Sequence, residues 1–127
     1  MIFAVDFDGT CVTHCYPNIG EDAPYAVAVL KALTTAGHKI IINSMRSDAY
    51  LEDAINWYKE RGIPVYAANV NPTQKSWTNS PKVHASYYID DSALGCPLMR
   101  FKDTVVVDWK RIGDWLVNCC FIDKYDE

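Results

Sequence analysis

The chain has 127 residues, 50% of them hydrophobic, and a formal net charge of −4. That length holds a single domain over 1–127 and no second full one. The acidic balance argues against a broad basic footprint for nucleic acid or an anionic membrane, while leaving room for a local anion site.

No stretch reaches the ~20 apolar residues of a membrane span. The opening apolar run is broken at Asp6, too early for a secretory segment, so a cytoplasmic location is the expectation. Cys11, Cys15, Cys96, Cys119 and Cys120 form no CxxC pair and have no matching histidine spacing for zinc, and they read as reduced thiols.

In chain order, Ile2-Phe3-Ala4-Val5 is apolar at successive positions, as in a strand of a parallel sheet covered on both faces. Asp6 ends it, followed by Phe7-Asp8-Gly9-Thr10. A carboxylate left buried and unpaired there costs roughly several kcal/mol, so it must meet a metal, a cation or water. Asp and Gly are also ordinary turn residues, and turn capping is the alternative for this stretch taken alone.

Residues 11–22 read as a loop, and a helix follows with Asp22 as its cap, Pro24 in its first turn and Gly37 at its close. Ile40-Ile41-Ile42 is a second strand, ending in Asn43-Ser44. Ser47 caps a second helix, in which Leu51, Ala54, Ile55 and Tyr58 share a face and which Gly62 and Pro64 stop.

Val65–Ala68 is a third strand, 69–81 a polar loop, and 82–86 a turn of helix. Tyr87-Tyr88-Ile89 is a fourth strand, ended by Asp90-Asp91. Thr104–Val107 is a fifth, before a last helix capped by Asp108, with a tail at 124–127 that frays. The alternation predicts a parallel sheet of about five strands with right-handed crossovers and helices on both sides. Three polar strand ends then converge on the edge where open α/β sheets bind ligands.

Asp6-Phe7-Asp8-Gly9-Thr10 after the first strand, Ser44 ending the second, a lysine before the fourth and Asp90-Asp91 ending it match, in order, the four motifs of the haloacid dehalogenase superfamily of aspartate-nucleophile phosphohydrolases. Over nearly its whole length the chain resembles the small capless hydrolases of that superfamily from bacteria and phages. The resemblance implies a Rossmann-like three-layer sandwich and a Mg2+-dependent phosphatase, with Asp6 as nucleophile and Asp8 as general acid and base.

It further implies that Asp6, Asp91 and the Asp8 carbonyl hold the metal with Asp90 behind them. Ser44 and the backbone of Phe7, Gly9 and Thr10, beside Asn43, would hold the phosphate oxygens. Lys82 fits the lysine spacing better than Lys75, and such a cation, with the metal, keeps the nucleophile ionised among four carboxylates. Arg46 is a candidate for a second anionic group of the substrate, with an exposed helix-entry arginine as the alternative. His14 lies where a leaving group could be touched.

The intervals 11–22 and 69–81 hold a flap but no folded cap, which predicts an open site. Such a site takes a small phosphorylated molecule; a nucleic acid end, or closure by a neighbouring subunit, is the alternative. Three rival activities are phosphotransfer to an acceptor other than water, a phosphate-binding module without turnover, and a signalling receiver domain. The receiver is disfavoured because the third strand ends in Ala67-Ala68-Asn69-Val70, with no acid to phosphorylate.

Overall fold

A computed structural model describes residues 1–126. The apolar runs form a parallel sheet of β1 (Ile2–Val5), β2 (Lys39–Ile42), β3 (Ala67–Ala68) and β4 (Tyr87–Ile89), in the order β3-β2-β1-β4. Val5 pairs in register with Ile42 and with Ile89, so the polar residues after three strands emerge side by side. The helices are α1 (Ala26–Thr35), α2 (Asp48–Glu60) and α3 (Trp109–Asn118). The α/β class and the parallel sheet are as expected.

The strand count differs. Thr104–Val107 is β6, and it pairs antiparallel with β5 (Leu98–Phe101) in a separate hairpin. A parallel connection needs a crossover of a dozen or more residues, usually a helix. The segment from Asp90 to Phe101 contains no helix, and the two-residue turn Lys102-Asp103 sends the chain straight back.

The layering differs as well. Phe3, Val5, Ile40 and Ile42 share one face and form a continuous core with Leu30 and Leu33 of α1, Trp57 and Tyr58 of α2, and Leu116 of α3. Successive right-handed crossovers running the same way, from β1 to β2 to β3, put α1 and α2 on one side. The opposite face carries Ala4, Ile41 and Tyr88, and an irregular segment covers it: Tyr88 Oη donates to the Val83 carbonyl and accepts from Ala85 N–H.

That segment holds a short 3-10 turn at Gln74–Ser76, whereas the helical turn expected at 82–86 is absent. Gln74 does the work of a helix there. Its amide donates to the carbonyls of Ser80 and Lys82, and its oxygen accepts from His84 N–H.

Asp108 caps α3, accepting from Arg111 N–H at 3.2 Å. Asp22 does not cap α1, which begins at Ala26 after Tyr25 with no side-chain cap. It accepts instead from Trp57 Nε1 and, bidentately, from Arg61. Ser47 stands at the start of α2 without a side-chain cap bond. Tyr125 is docked rather than frayed, its hydroxyl donating to Asp114 and lying 3.0 Å from the Lys110 carbonyl; Glu127 lies outside the described residues. All five cysteines are free thiols. No helix of the described residues is long and apolar enough to cross a membrane.

Candidate active site

The chain leaves β1 through a tight loop that the core holds in place. Phe7 is fully buried against Trp57, and its carbonyl accepts from the N–H groups of Thr10 and Cys11. The hairpin and α3 brace the loop from the other side: Val107 N–H donates to the Gly9 carbonyl, and the buried Trp109 Nε1 donates to the Thr10 carbonyl at 2.7 Å. Trp109 as a brace was not foreseen, and its place directly after the Asp108 cap is the sequence signal that could have shown it.

Asp6, Asp8, His14, Tyr16, Ser44, Met45, Arg46, Asp90, Asp91 and Ser92 line a cleft of about 530 Å³ at the carboxyl edge of the sheet. Oxygens of Asp6, Asp90 and Asp91 all lie within 4.8 Å of one another. Thr10 ties two of these together, donating from Oγ1 to Asp6 at 2.7 Å and accepting from Asp91 N–H at 3.1 Å. Thr10 is fully buried, and its N–H donates to the Phe7 carbonyl, as that of Gly9 does to the Val12 carbonyl. These two amides, expected to hold phosphate oxygens, are thus committed within the loop.

Burial pushes the Asp6 carboxyl up to about 8, opposed by the Thr10 hydrogen bond and reinforced by Asp91 and Asp90. Asp91 moves the other way. Burial raises it, but hydrogen bonds from His14 and Asp6 outweigh that and hold it below the ordinary carboxylate range. The two interacting carboxyls thus move in opposite directions, with Asp6 the member that holds a proton more readily in the metal-free protein.

Gly9 has φ of 81°, and a Cβ there would overlap His14 Nε2 and Asp91 Oδ2. Both space and backbone therefore require glycine. Gly9→Ala is expected to lower stability by about 1–3 kcal/mol, read as a fall in denaturant midpoint, and to weaken any divalent-ion binding by displacing Asp91.

Arg46 departs most from expectation. It is 1% exposed, and its five N–H donors meet five acceptors. Nε and Nη2 hold the two oxygens of Asp8, each at 2.8 Å; Nη1 donates to the carbonyls of Pro17 and Tyr50, and Nη2 also to that of Asn18. A guanidinium has no further donors, so this side chain orients Asp8 and anchors the 16–18 loop and has none left for a substrate group.

Ser44 lines the cleft, its Oγ accepting from Arg46 N–H at 3.0 Å. Asn69, in the left-handed region with φ of 56°, secures this turn by accepting from Ser44 N–H and donating to the Arg46 carbonyl. Sequence reading gave Asn69 no role. Asn43 donates its N–H to Val5 and does not line the cleft.

Lys82 is not at the site either. Its Nζ lies over the Tyr88 ring, and Lys75 lines a separate groove with Gln74 and Pro81. The basic side chains beside the carboxylates are Arg46 on Asp8 and His14 on Asp91, the latter hydrogen-bonded with Nε2···Oδ2 of 2.9 Å. Cys11 is no nucleophile: it is fully buried against Tyr58, and burial pushes its thiol up. A second groove of about 450 Å³, between β4, residues 93–97 and α3, is mainly apolar and shares no lining residue with the cleft.

No family model and no curated protein matches the chain. Among solved structures it is similar to a conserved protein coded by a locus from Bacteroides thetaiotaomicron. The two share 38% sequence identity with a TM-score of 0.76, over 94% of this chain and 89% of that one.

Proposed function

We propose, for a chain that belongs to the same family as the conserved Bacteroides thetaiotaomicron protein, that it is a Mg2+-dependent phosphomonoesterase of the haloacid dehalogenase type. One observation carries the reading. Asp6, Asp90 and Asp91 converge within 4.8 Å at the sheet's carboxyl edge, and Asp8, two residues beyond Asp6, is held in a fixed orientation beside them.

The donor set fits magnesium. All three groups are hard oxygen ligands, and an octahedron with metal–oxygen distances of about 2.1 Å spans about 4.2 Å between opposite ligands, compatible with oxygens no more than 4.8 Å apart. Asp6, Asp90 and Asp91 would hold the ion, and when bound it would supply the positive charge that keeps the carboxylates ionised and stabilises the charge of a transferring phosphoryl group.

The residues of the chain then divide the work. An Asp6 oxygen attacks phosphorus, and the bond from phosphorus to the leaving oxygen breaks, giving an acyl phosphate on Asp6. Asp8 gives its proton to the leaving oxygen. A water then attacks the acyl phosphate, Asp8 takes its proton, and inorganic phosphate and free Asp6 result. Arg46 occupies one lone pair on each Asp8 oxygen, and a carboxylate oxygen offers about two. Asp8 can thus exchange its proton without leaving the clamp. Ser44 Oγ, on the cleft wall, is the side-chain donor for a phosphate oxygen.

The test is hydrolysis of p-nitrophenyl phosphate with magnesium. Turnover is expected, with loss on adding chelator and recovery on restoring the ion. Failure to hydrolyse any aryl or alkyl monoester with magnesium or manganese would sink the reading. Phosphate appearing on added alcohols rather than in water would favour phosphotransfer. Lys82→Ala is expected to keep turnover within about twofold of the parent, because an exposed charge that does not line the cleft is screened by solvent. A loss beyond ~10² would return the lysine role to it.

A further inference from the structure

The groups around the cleft also bear on which phosphate esters enter it, an inference that rests on the phosphomonoesterase reading. Among the described residues lining the cleft, Arg46 is the sole lysine or arginine, and every N–H it has is committed to Asp8, Pro17, Asn18 and Tyr50. His14 faces Asp91. Four carboxyl groups line the same space; with Asp8 carrying the proton it gives to the leaving oxygen, the other three match one guanidinium and one divalent ion in formal charge, and a bound phosphate dianion makes the cleft net negative. The ester's own phosphate therefore meets the only positive charge on offer, and a second anion on the leaving group would face uncompensated acid.

The rim has another character. Met45 is 98% exposed and Tyr16 is 57% exposed. Arg46 lies over the Tyr16 ring, 5.1 Å from its centre, and Tyr50 stands edge-on to it with ring centres 5.6 Å apart. These neighbours hold Tyr16 in place at the mouth while leaving much of it open to solvent. An aromatic surface fixed in this way offers contact area at low entropic cost.

We infer that the cleft selects monophosphate esters in which the phosphate is the sole anion and the leaving alcohol carries an uncharged ring that packs on Tyr16 and Met45. Bisphosphates and carboxylate-bearing phosphates are poor substrates.

Matched esters test this without changing the reactivity of the leaving group greatly: benzyl phosphate, 4-carboxybenzyl phosphate and n-propyl phosphate, assayed with magnesium at low salt. The carboxylate is expected to lower kcat/KM by about tenfold or more, with the gap narrowing as salt screens it. Benzyl phosphate should exceed propyl phosphate by about tenfold, and Tyr16→Ala should bring that ratio toward one.

Equal or faster turnover of the carboxylate ester would overturn the charge argument, and a ring preference unmoved in Tyr16→Ala would overturn the rim. If no ester turns over, the phosphomonoesterase reading itself fails. Calorimetric binding of benzylphosphonate and 4-carboxybenzylphosphonate in magnesium then still decides the inference, with the uncharged ring expected to bind tighter and the reverse order refuting it.

Discussion

Asp6→Asn is expected to abolish turnover and, at the same time, to make the metal-free protein more stable. The loss should reach roughly three orders of magnitude in kcat or more, as removal of a covalent nucleophile does. The gain in stability follows from the environment of the carboxylate. Burial, with Asp90 and Asp91 adding to it, raises the folded-state pKa of Asp6 from an ordinary 3.8 to about 8.

An acid raised in this way favours the fold only while protonated. Its contribution is fully present below about pH 4 and is lost as pH rises through 8, because the unfolded chain releases the proton first. Metal-free protein should therefore lose stability between pH 5 and pH 8, and asparagine should remove much of that slope. At pH 8 the variant should gain roughly 1–3 kcal/mol, less than the whole shift implies because Asp91 readjusts with it. Melting curves over that range, with and without magnesium, read the effect; magnesium should stabilise the parent more at pH 8 than at pH 6. A variant less stable than the parent at pH 8 would show that the carboxylate is not a cost to the fold.

Arg46→Met should be among the most damaging single changes in the chain. It leaves the Asp8 carboxylate without its partner and strips the carbonyls of Pro17, Asn18 and Tyr50 of their donor. Breaking a buried pair in this way costs about 3–5 kcal/mol. Arg46→Lys should recover little, since one ammonium cannot bond both Asp8 oxygens and three carbonyls at once. Turnover should fall by ~10² or more even where the protein remains folded, because Asp8 loses its orientation. A double-mutant cycle with Asp8→Asn separates the possibilities. Strong non-additivity in both stability and kcat is expected of a clamp. A substrate-binding arginine would instead show wild-type stability and a raised KM confined to substrates with a second anion.

Much of the parallel sheet was legible in the chain because its strands are short continuous apolar runs, and a strand buried on both faces has no other way to look. The hairpin was harder to see. Leu98–Phe101 contains Arg100 and follows Pro97, and its two-residue turn has Lys102 at φ of 55°, a position that glycine or asparagine would have announced. The cap at Asp108 was visible because an N-cap bond reaches only three residues along the chain. Asp22 offered the same local signal, yet Trp57 and Arg61, more than thirty positions away, took its carboxylate.

The same division runs through the site. The sequence by itself determined which carboxylates meet: Asp6, Asp90 and Asp91 each follow a strand, and parallel strands in register must deliver their carboxyl ends to one edge. Only the tertiary structure decided which cations answer them. A long side chain leaves the backbone in a direction set by its neighbours, so spacing could nominate Lys82 while packing turned it onto Tyr88. Arg46, read as a group for the substrate, was drawn inward because burying a guanidinium is tolerable only where all five donors are met, and Asp8 with three loop carbonyls met them.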